Sequence, residues 1–424
     1  MRKKLARFIL LGALAACSTT AAEAATALRF SKMVDGTGKS VSDVVIVVDG
    51  DKIVSVGSGA AAVPAGATEI DLRKYTAIPG MIDLHTHLPQ VWDEAPGTNP
   101  YRQAPRTQAE TLFLAQKSLL RTLEAGVTTA RDLSVGNAQL EGVDIAERNL
   151  INNGYIVGPR MFVATRGLGA TPRAYGGVSG PYEMMKAVRE NIAAGADLIK
   201  LYGSTGGSQN LSGDQTLTYE EVKAAVDIAH ALGRKVAFHS YGPAGAKVGA
   251  RAGVDDIQHA LDMDDETLEM MKAKGIVYVP TIDHNRFYED NAERFEFRKG
   301  IGPEYEAFIA KNIETTRRAF KAGVKIGMGS DALYSMHGQN TRELGALVKA
   351  GLNPAQALAA ATTVPAALLG KEKILGSIAP GYFADIVAVE GDPLADINVV
   401  INKVRWVMKG GAVVVDKTGA SSPK

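Results

Sequence analysis

The chain of 424 residues contains a single cysteine, which excludes an intramolecular disulfide framework and any zinc cluster built on cysteine. Aromatic residues make up only 6% of it, so its core must be assembled mainly from Ala, Val, Ile and Leu. An excess of one charge is missing too. Forty-seven basic side chains oppose 46 acidic ones, giving a net charge of +1 with no basic run, which argues against a nucleic-acid partner. No Gly-x-Gly-x-x-Gly follows a first strand and no Gly-x-x-x-x-Gly-Lys-Ser/Thr occurs, which weakens nucleotide binding. The apolar run from Phe8 to Ala16 is too short to span a bilayer. Whatever this chain binds, it must bind with histidine, carboxylates, lysine or backbone.

Arg2, Lys3, Lys4 and Arg7 precede that apolar run, so residues 1–27 read as a secretory signal and tether. Leu14-Ala15-Ala16-Cys17 looks like a bacterial lipoprotein cleavage box, with a mature chain starting at a lipid-modified Cys17. Ordinary cleavage after Ala22-Glu23-Ala24 or Ala25-Thr26-Ala27 would discard Cys17 instead. Both readings predict an exported protein, either periplasmic or lipid-anchored. Membrane contact is expected only through that anchor.

Residues 28–78 read as short strands with glycine-bounded hairpins, and residues 370–424 mirror them in GYFADIVAVEG, INVVINKVRWVMKG and GAVVVDK. One small β-sandwich domain assembled from both ends is expected. Between them, residues 79–369 alternate apolar strands with helical patterns. The expected strands are IPGMIDLHTH, GVTTARDL, RMFVATR, DLIKLYG, KVAFHSYG, DIQHAL, IVYVPTID and KIGMGSDA. Helices such as TQAETLFLAQKSLLRTLEAG and PEYEAFIAKNIETTRRAFKAG lie between them. The spacing predicts an α/β fold, a (β/α)8 TIM barrel, with a doubly wound open sheet as the alternative.

Chemically capable side chains gather at the C-terminal ends of these strands, the face on which barrel enzymes place their sites. His85 and His87 lie at i and i+2 of a strand, so both imidazoles can grip one metal, although a bare His-x-His is common by chance. Lys200 sits inside an apolar run where its ammonium must be desolvated. It is either a strand-end lysine reaching solvent or a carbamate formed with carbon dioxide. His239 and His259 end successive strands, and Asp331 ends the eighth, where it is either a metal ligand and proton acceptor or a helix N-cap. His284 and His337 fall in loops on the same face, and Arg166 and Arg173 follow the third strand. These four are candidates for substrate contact or for the rim. His230, inside a helix, reads as structural, and the Gly206-Gly207 turn lets backbone approach the site.

The order His-x-His, Lys, His, His, Asp resembles the amidohydrolase superfamily over essentially the whole mature chain. The segments Ile78–His87, Gly126–Asp132, His239-Ser240-Tyr241-Gly242 and Gly376–Val387 are similar to its imidazolonepropionase-related group. Within that group they resemble the exported metal-dependent Xaa-Pro dipeptidases and carboxypeptidases and the ochratoxin-hydrolysing amidases. The resemblance implies hydrolysis of an amide bond in a small-molecule substrate, and a homo-oligomer. It implies two divalent metal ions, zinc by preference, one on His85, His87 and Asp331 and the other on His239 and His259. Carboxylated Lys200 would bridge them. It implies a hydroxide shared by the metals as nucleophile, Asp331 as proton shuttle and Tyr241 as donor to the developing oxyanion. A substrate carboxylate would need Arg166 or Arg173. The third-strand loop Ala170–Gly176 departs from the relatives' pattern, which leaves side-chain preference open.

Three rivals stay on the table. Gly242 stands where superfamily deaminases carry glutamate, against a one-metal deaminase. A lactonase or organophosphate-type esterase could use the same centre. A non-catalytic ligand-binding surface lipoprotein would not need all six candidate ligands.

Overall fold

The computed structural model describes residues 25–134, 138–170 and 177–419. The signal segment with Cys17, and Arg173 with most of its loop, lie outside them. The N-terminal strands are β1 (Thr26–Val34), β2 (Ser40–Asp49), β3 (Lys52–Ser58) and β4 (Thr68–Pro79). Strand β5 (Met81–Thr86) follows after Gly80 alone. Then α1 (Gln108–Glu124), β6 (Val127–Asp132), α2 (Val143–Asn152), β7 (Arg160–Val163), β8 (Gly167–Leu168), α3 (Pro181–Ala194) and β9 (Leu198–Tyr202) alternate. They continue as α4 (Tyr219–Ala231), β10 (Lys235–Ser240), α5 (Pro243–Ala252), β11 (Asp256–His259), α6 (Asp265–Lys274) and β12 (Val277–Val279). Helices α7 (Ile282–Asn291), α8 (Gly302–Ala322), α9 (Arg342–Lys349), α10 (Pro354–Ala360) and α11 (Thr363–Leu368) lead to β13 (Ile386–Val389), α12 (Asn398–Asn402), β14 (Val404–Lys409) and β15 (Ala412–Asp416).

Local chemistry sets these boundaries. Thr107 with Glu110 and Thr218 with Glu221 form capping boxes that start α1 and α4, and Asp264 caps α6. Gly323, left-handed at φ 89°, stops α8 at the Ala-Gly signal read from the sequence. Strands β5, β6 and β11 are buried at every residue, as strands covered on both faces are.

Both ends of the chain meet in one seven-stranded sheet, ordered β15-β14-β13-β4-β1-β2-β3. Its far edge curls back, so that Ile53 and Tyr382 exchange a backbone bond of 2.9 Å around a core containing Phe30, Ile46 and Trp406. The middle strands pair in parallel, β5-β6-β7 and β8 through β12. The Asp197 amide bonds the Val163 carbonyl at 2.8 Å, joining β7 to the start of β9. Residues 325–332, expected as an eighth strand, form no continuous strand. They make the parallel bridges Tyr278↔Ile326 and Thr86↔Ala332, with backbone bonds from Gly327 N to the Tyr278 carbonyl at 2.9 Å and from Leu84 N to the Met328 carbonyl at 3.0 Å, and Asp331 turns into the left-handed region at φ 54°. Those bridges still tie β12 on one side to β5 on the other. No helix among the described residues is long and apolar enough to cross a membrane.

Gly80 couples the two parts. Its N–H bonds the Asp385 carbonyl at 2.8 Å, and a Cβ there would lie 2.2 Å from Thr128 Oγ1 and 2.9 Å from Asp385 Cβ. Gly80→Ala should therefore cost about 1–3 kcal/mol by overpacking, read as a lower urea midpoint, and adding Thr128→Ala should restore part of it. An unchanged midpoint in the single variant would show that the junction is slack.

Candidate active site

The C-terminal ends of the parallel strands enclose a cavity of about 210 Å³. His85 and His87 from β5, Lys200 from β9, His239 from β10, His259 from β11 and Asp331 all line it. All six predicted ligand side chains are thus brought together. Asp331 Oδ1 stands 3.0 Å from His87 Nε2 and 3.3 Å from His85 Nε2. The rings run in series, with centroids 5.2 Å apart for His87–His85, 5.1 Å for His85–His259 and 4.7 Å for His259–His239.

Hydrogen bonds orient these rings. His87 Nδ1 lies 2.8 Å from the Ser134 carbonyl, which can only accept, so Nδ1 carries the proton. Thr281 Oγ1 donates to the Pro280 carbonyl at 2.8 Å and therefore accepts from His259 Nδ1 at 2.6 Å. In the neutral form of each ring, Nε2 then keeps the lone pair. Burial holds His85 and His259 well below the usual histidine range and His239 down to about 3, so these imidazoles are neutral. Burial opposes protonation of His87 as well, but Asp331 beside it outweighs that and raises it. Burial alone would raise Asp331, yet His284, His85 and His87 hold it well below the usual carboxylate range.

Among the residues lining this cavity, His239 Nε2, Lys200 Nζ and His284 Nδ1 are buried with no hydrogen-bond partner. An imidazole lone pair and an amine left without partners are costly in a dry interior unless something else satisfies them. Burial brings Lys200 down to about 7, so a neutral amine is available near neutral pH. His85, His87 and Asp331 present one ligand atom each within 4.8 Å of one another. Neutral nitrogens, a carboxylate and the orphaned nitrogens of His239 and Lys200 are a donor set that fits divalent cations.

The remaining candidates divide. Tyr241 lines the cavity with its ring stacked on His239 at 5.2 Å and 22°, and Gly206, at φ 132°, makes room for it where a Cβ would lie 2.4 Å from the ring. His284 is not in a loop. The chain turns at Thr281 in the left-handed region, and α7 starts with the Ile282 and Asp283 amides capped by Glu343 from α9. That places His284 Nε2 3.2 Å from Asp331 Oδ2, on the cavity wall. His337 follows a short 3-10 turn, is buried and does not line the cavity. Arg166 does not line it either, because its guanidinium is drawn to Glu190 on α3, 3.2 Å away. His230 pairs with Asp255 at 2.8 Å on the far side of the strands.

The sequence reading missed Tyr202, Tyr288 and Gln90 in the cavity wall. It also missed Asp83, which accepts from Ser330 N at 2.9 Å, Ser330 Oγ at 2.5 Å and His85 N at 3.0 Å, binding the two ligand-bearing segments together. Its i−2 spacing from His85 was the available signal. A buried acidic layer behind His87 was missed too: Asp132, pushed up to about 8 by burial, accepts from Leu88 N at 2.6 Å, with Asp144 and Glu147 on α2 nearby.

A buried His-x-His pair joined by an aspartate at the C-terminal ends of parallel strands defines a metal-binding hydrolase class. Residues 76–414 match the model of the amidohydrolase family, and the chain belongs to that family of hydrolytic enzymes. Ochratoxinase of Aspergillus niger is 29% identical, covering 89% of this chain and 84% of the relative. A solved Xaa-Pro dipeptidase with methionine bound in its active site is 32% identical, covers 92% of this chain and 99% of its own, and superposes with a TM-score of 0.82. A prolidase complexed with N-methylphosphonate-L-proline is 27% identical over 92% of this chain and 100% of its own, also with a TM-score of 0.82.

Glu147 gives a pH test of the acidic layer. Burial holds its carboxyl well above the ordinary 4.5, so it stays protonated where the unfolded chain would ionise it. The stability this confers is complete below about 4.5 and is lost as pH rises toward the folded-state value. From about pH 5 to about pH 8 the urea midpoint should fall less in Glu147→Gln than in the parent. Parallel declines would remove Glu147 as the cause.

Proposed function

We propose that this chain hydrolyses the amide bond of a small carboxylate-bearing substrate, a dipeptide or an N-acyl amino acid, using two divalent cations, zinc by preference. The carrying observation is the pair of unpartnered nitrogens, His239 Nε2 and Lys200 Nζ, facing the His85–His87–Asp331 group across one cavity. The fold is read as a (β/α)8 barrel beside a β-sandwich, supported by the hydrogen bonds that pass from β5 through β6, β7, β9, β10, β11 and β12 to residues 325–332 and back to β5. The names of the relatives support the substrate class, since ochratoxinase, Xaa-Pro dipeptidase and prolidase are all among them.

His85, His87 and Asp331 would hold one cation and His239 and His259 the other. Lys200 would stand between them as a carbamate, formed when its neutral Nζ bonds the carbon of carbon dioxide and releases a proton. When bound, the cations supply Lewis acidity and a water of lowered pKa. The residues do the rest. Asp331, with Oδ2 oriented by His284, takes the proton from attacking water and passes it to the leaving nitrogen. Tyr241, kept protonated by burial, offers its hydroxyl to the carbonyl oxygen as charge develops there. Tyr202, Tyr288 and Leu333 complete the cavity wall around these groups.

Chelation should abolish hydrolysis across a panel of dipeptides and N-acyl amino acids, and zinc should restore it. Asp331→Asn should lower turnover by about two to four orders of magnitude with its fold retained, because it removes the proton acceptor as well as a ligand. Chelator-resistant hydrolysis, or less than a tenfold loss in the variant, would defeat the reading.

A further inference from the structure

We propose that Gln258, oriented by the Arg131–Asp256 pair, is a positioning residue that fixes which ring nitrogen His85 presents to the cavity. Its consequence for metal affinity rests on the two-cation reading; the orientation itself does not.

Gln258 lies on β11, fully buried, with Oε1 2.8 Å from His85 Nδ1 and Nε2 bonded to Asp256 Oδ1. Shape alone cannot tell the two ends of a carboxamide apart, but its partners can. Both Asp256 oxygens accept from the Arg131 guanidinium, at 2.6 Å from Nη1 and 2.9 Å from Nη2, and Arg131 Nε donates to the Leu84 carbonyl at 2.6 Å. Asp256 therefore meets Gln258 as an acceptor, and the amide must turn its NH2 toward it. That leaves the carbonyl oxygen facing His85, and only a protonated Nδ1 can satisfy it. Nε2, 3.3 Å from Asp331 Oδ1, is left bare, so that the two can share a cation as donors. In the other tautomer a lone pair would face Oε1 and an N–H would occupy the place of a cation.

The series crosses the interior from β6 through β11 to β5. Arg131, Asp256, Gln258 and His85 are at most 1% exposed, so bulk water cannot replace a missing partner. Asp256 and Gln258 share a face of β11 at i and i+2. His259 joins them on the inside by turning at φ 71°, with Ala260 N bonding the Gln258 carbonyl at 2.9 Å. A histidine ligand whose second nitrogen is held by a buried acceptor typically binds metal about 10–100-fold better than one left unheld.

The test reads the tautomer and the affinity separately. In histidine-15N-labelled metal-free protein, with His85 assigned from His85→Asn, the parent should show the proton on Nδ1. Gln258→Met keeps the length and removes the oxygen; His85 should then divide between tautomers, and zinc affinity by chelator competition should fall about 10–100-fold. A parent with its proton on Nε2, or a folded Met variant that binds zinc as the parent does, overturns the proposal. If the Met variant does not fold, the parent's tautomer decides. A parent with the expected tautomer that binds no zinc upholds the positioning role and defeats the two-cation reading.

Discussion

Burial of imidazole lone pairs around one carboxylate is the constraint on which this molecule turns. In a dry interior every N–H must find an acceptor, and every ring nitrogen so engaged commits the other one. The Ser134 carbonyl and Thr281 Oγ1 commit His87 and His259, so that their Nε2 atoms face the cavity. Asp331 is held among three histidines, with their Nε2 atoms 3.0 to 3.3 Å from its carboxylate oxygens. The site is thus organised by partners that lie outside it.

The fold makes such an arrangement possible. Parallel strands deliver their C-terminal ends to one side, and the alternation along β5, β9 and β10 sends ligands inward while Ile199, Leu201 and Phe238 pack outward against the helices. Asp83 then ties β5 to the segment bearing Asp331, with Asn340 adding a bond of 2.9 Å. The terminal sheet braces the same strand from the other end, through Gly80 and Asp385.

Much of this was legible in the sequence. His85 and His87 were readable because i and i+2 share a strand face, Lys200 because an amine in an apolar run needs a reason, and His239 and His259 because equivalent strand ends converge. His284 was readable as a residue of the site face but not of a helix, since the strand pattern of IVYVPTID continues past the point where Thr281 breaks it and α7 begins. Gln258 was hidden by its neighbour: strand alternation would send Gln258 and His259 to opposite faces, and only the left-handed turn at His259 puts both inside. The pairing of Arg166 with Glu190, 24 residues on along the chain, has no local pattern that shows it in the sequence. Asp132 and Glu147 broke the rule that carboxylates face water, a rule with no sequence-level exception to read here.

The most direct test of the whole account is anomalous diffraction at the zinc edge from crystals of the zinc-loaded protein. The account predicts two peaks in the cavity, one among His85, His87 and Asp331 and one among His239 and His259, both against Lys200. A single peak, or peaks away from His239 and His259, would contradict it.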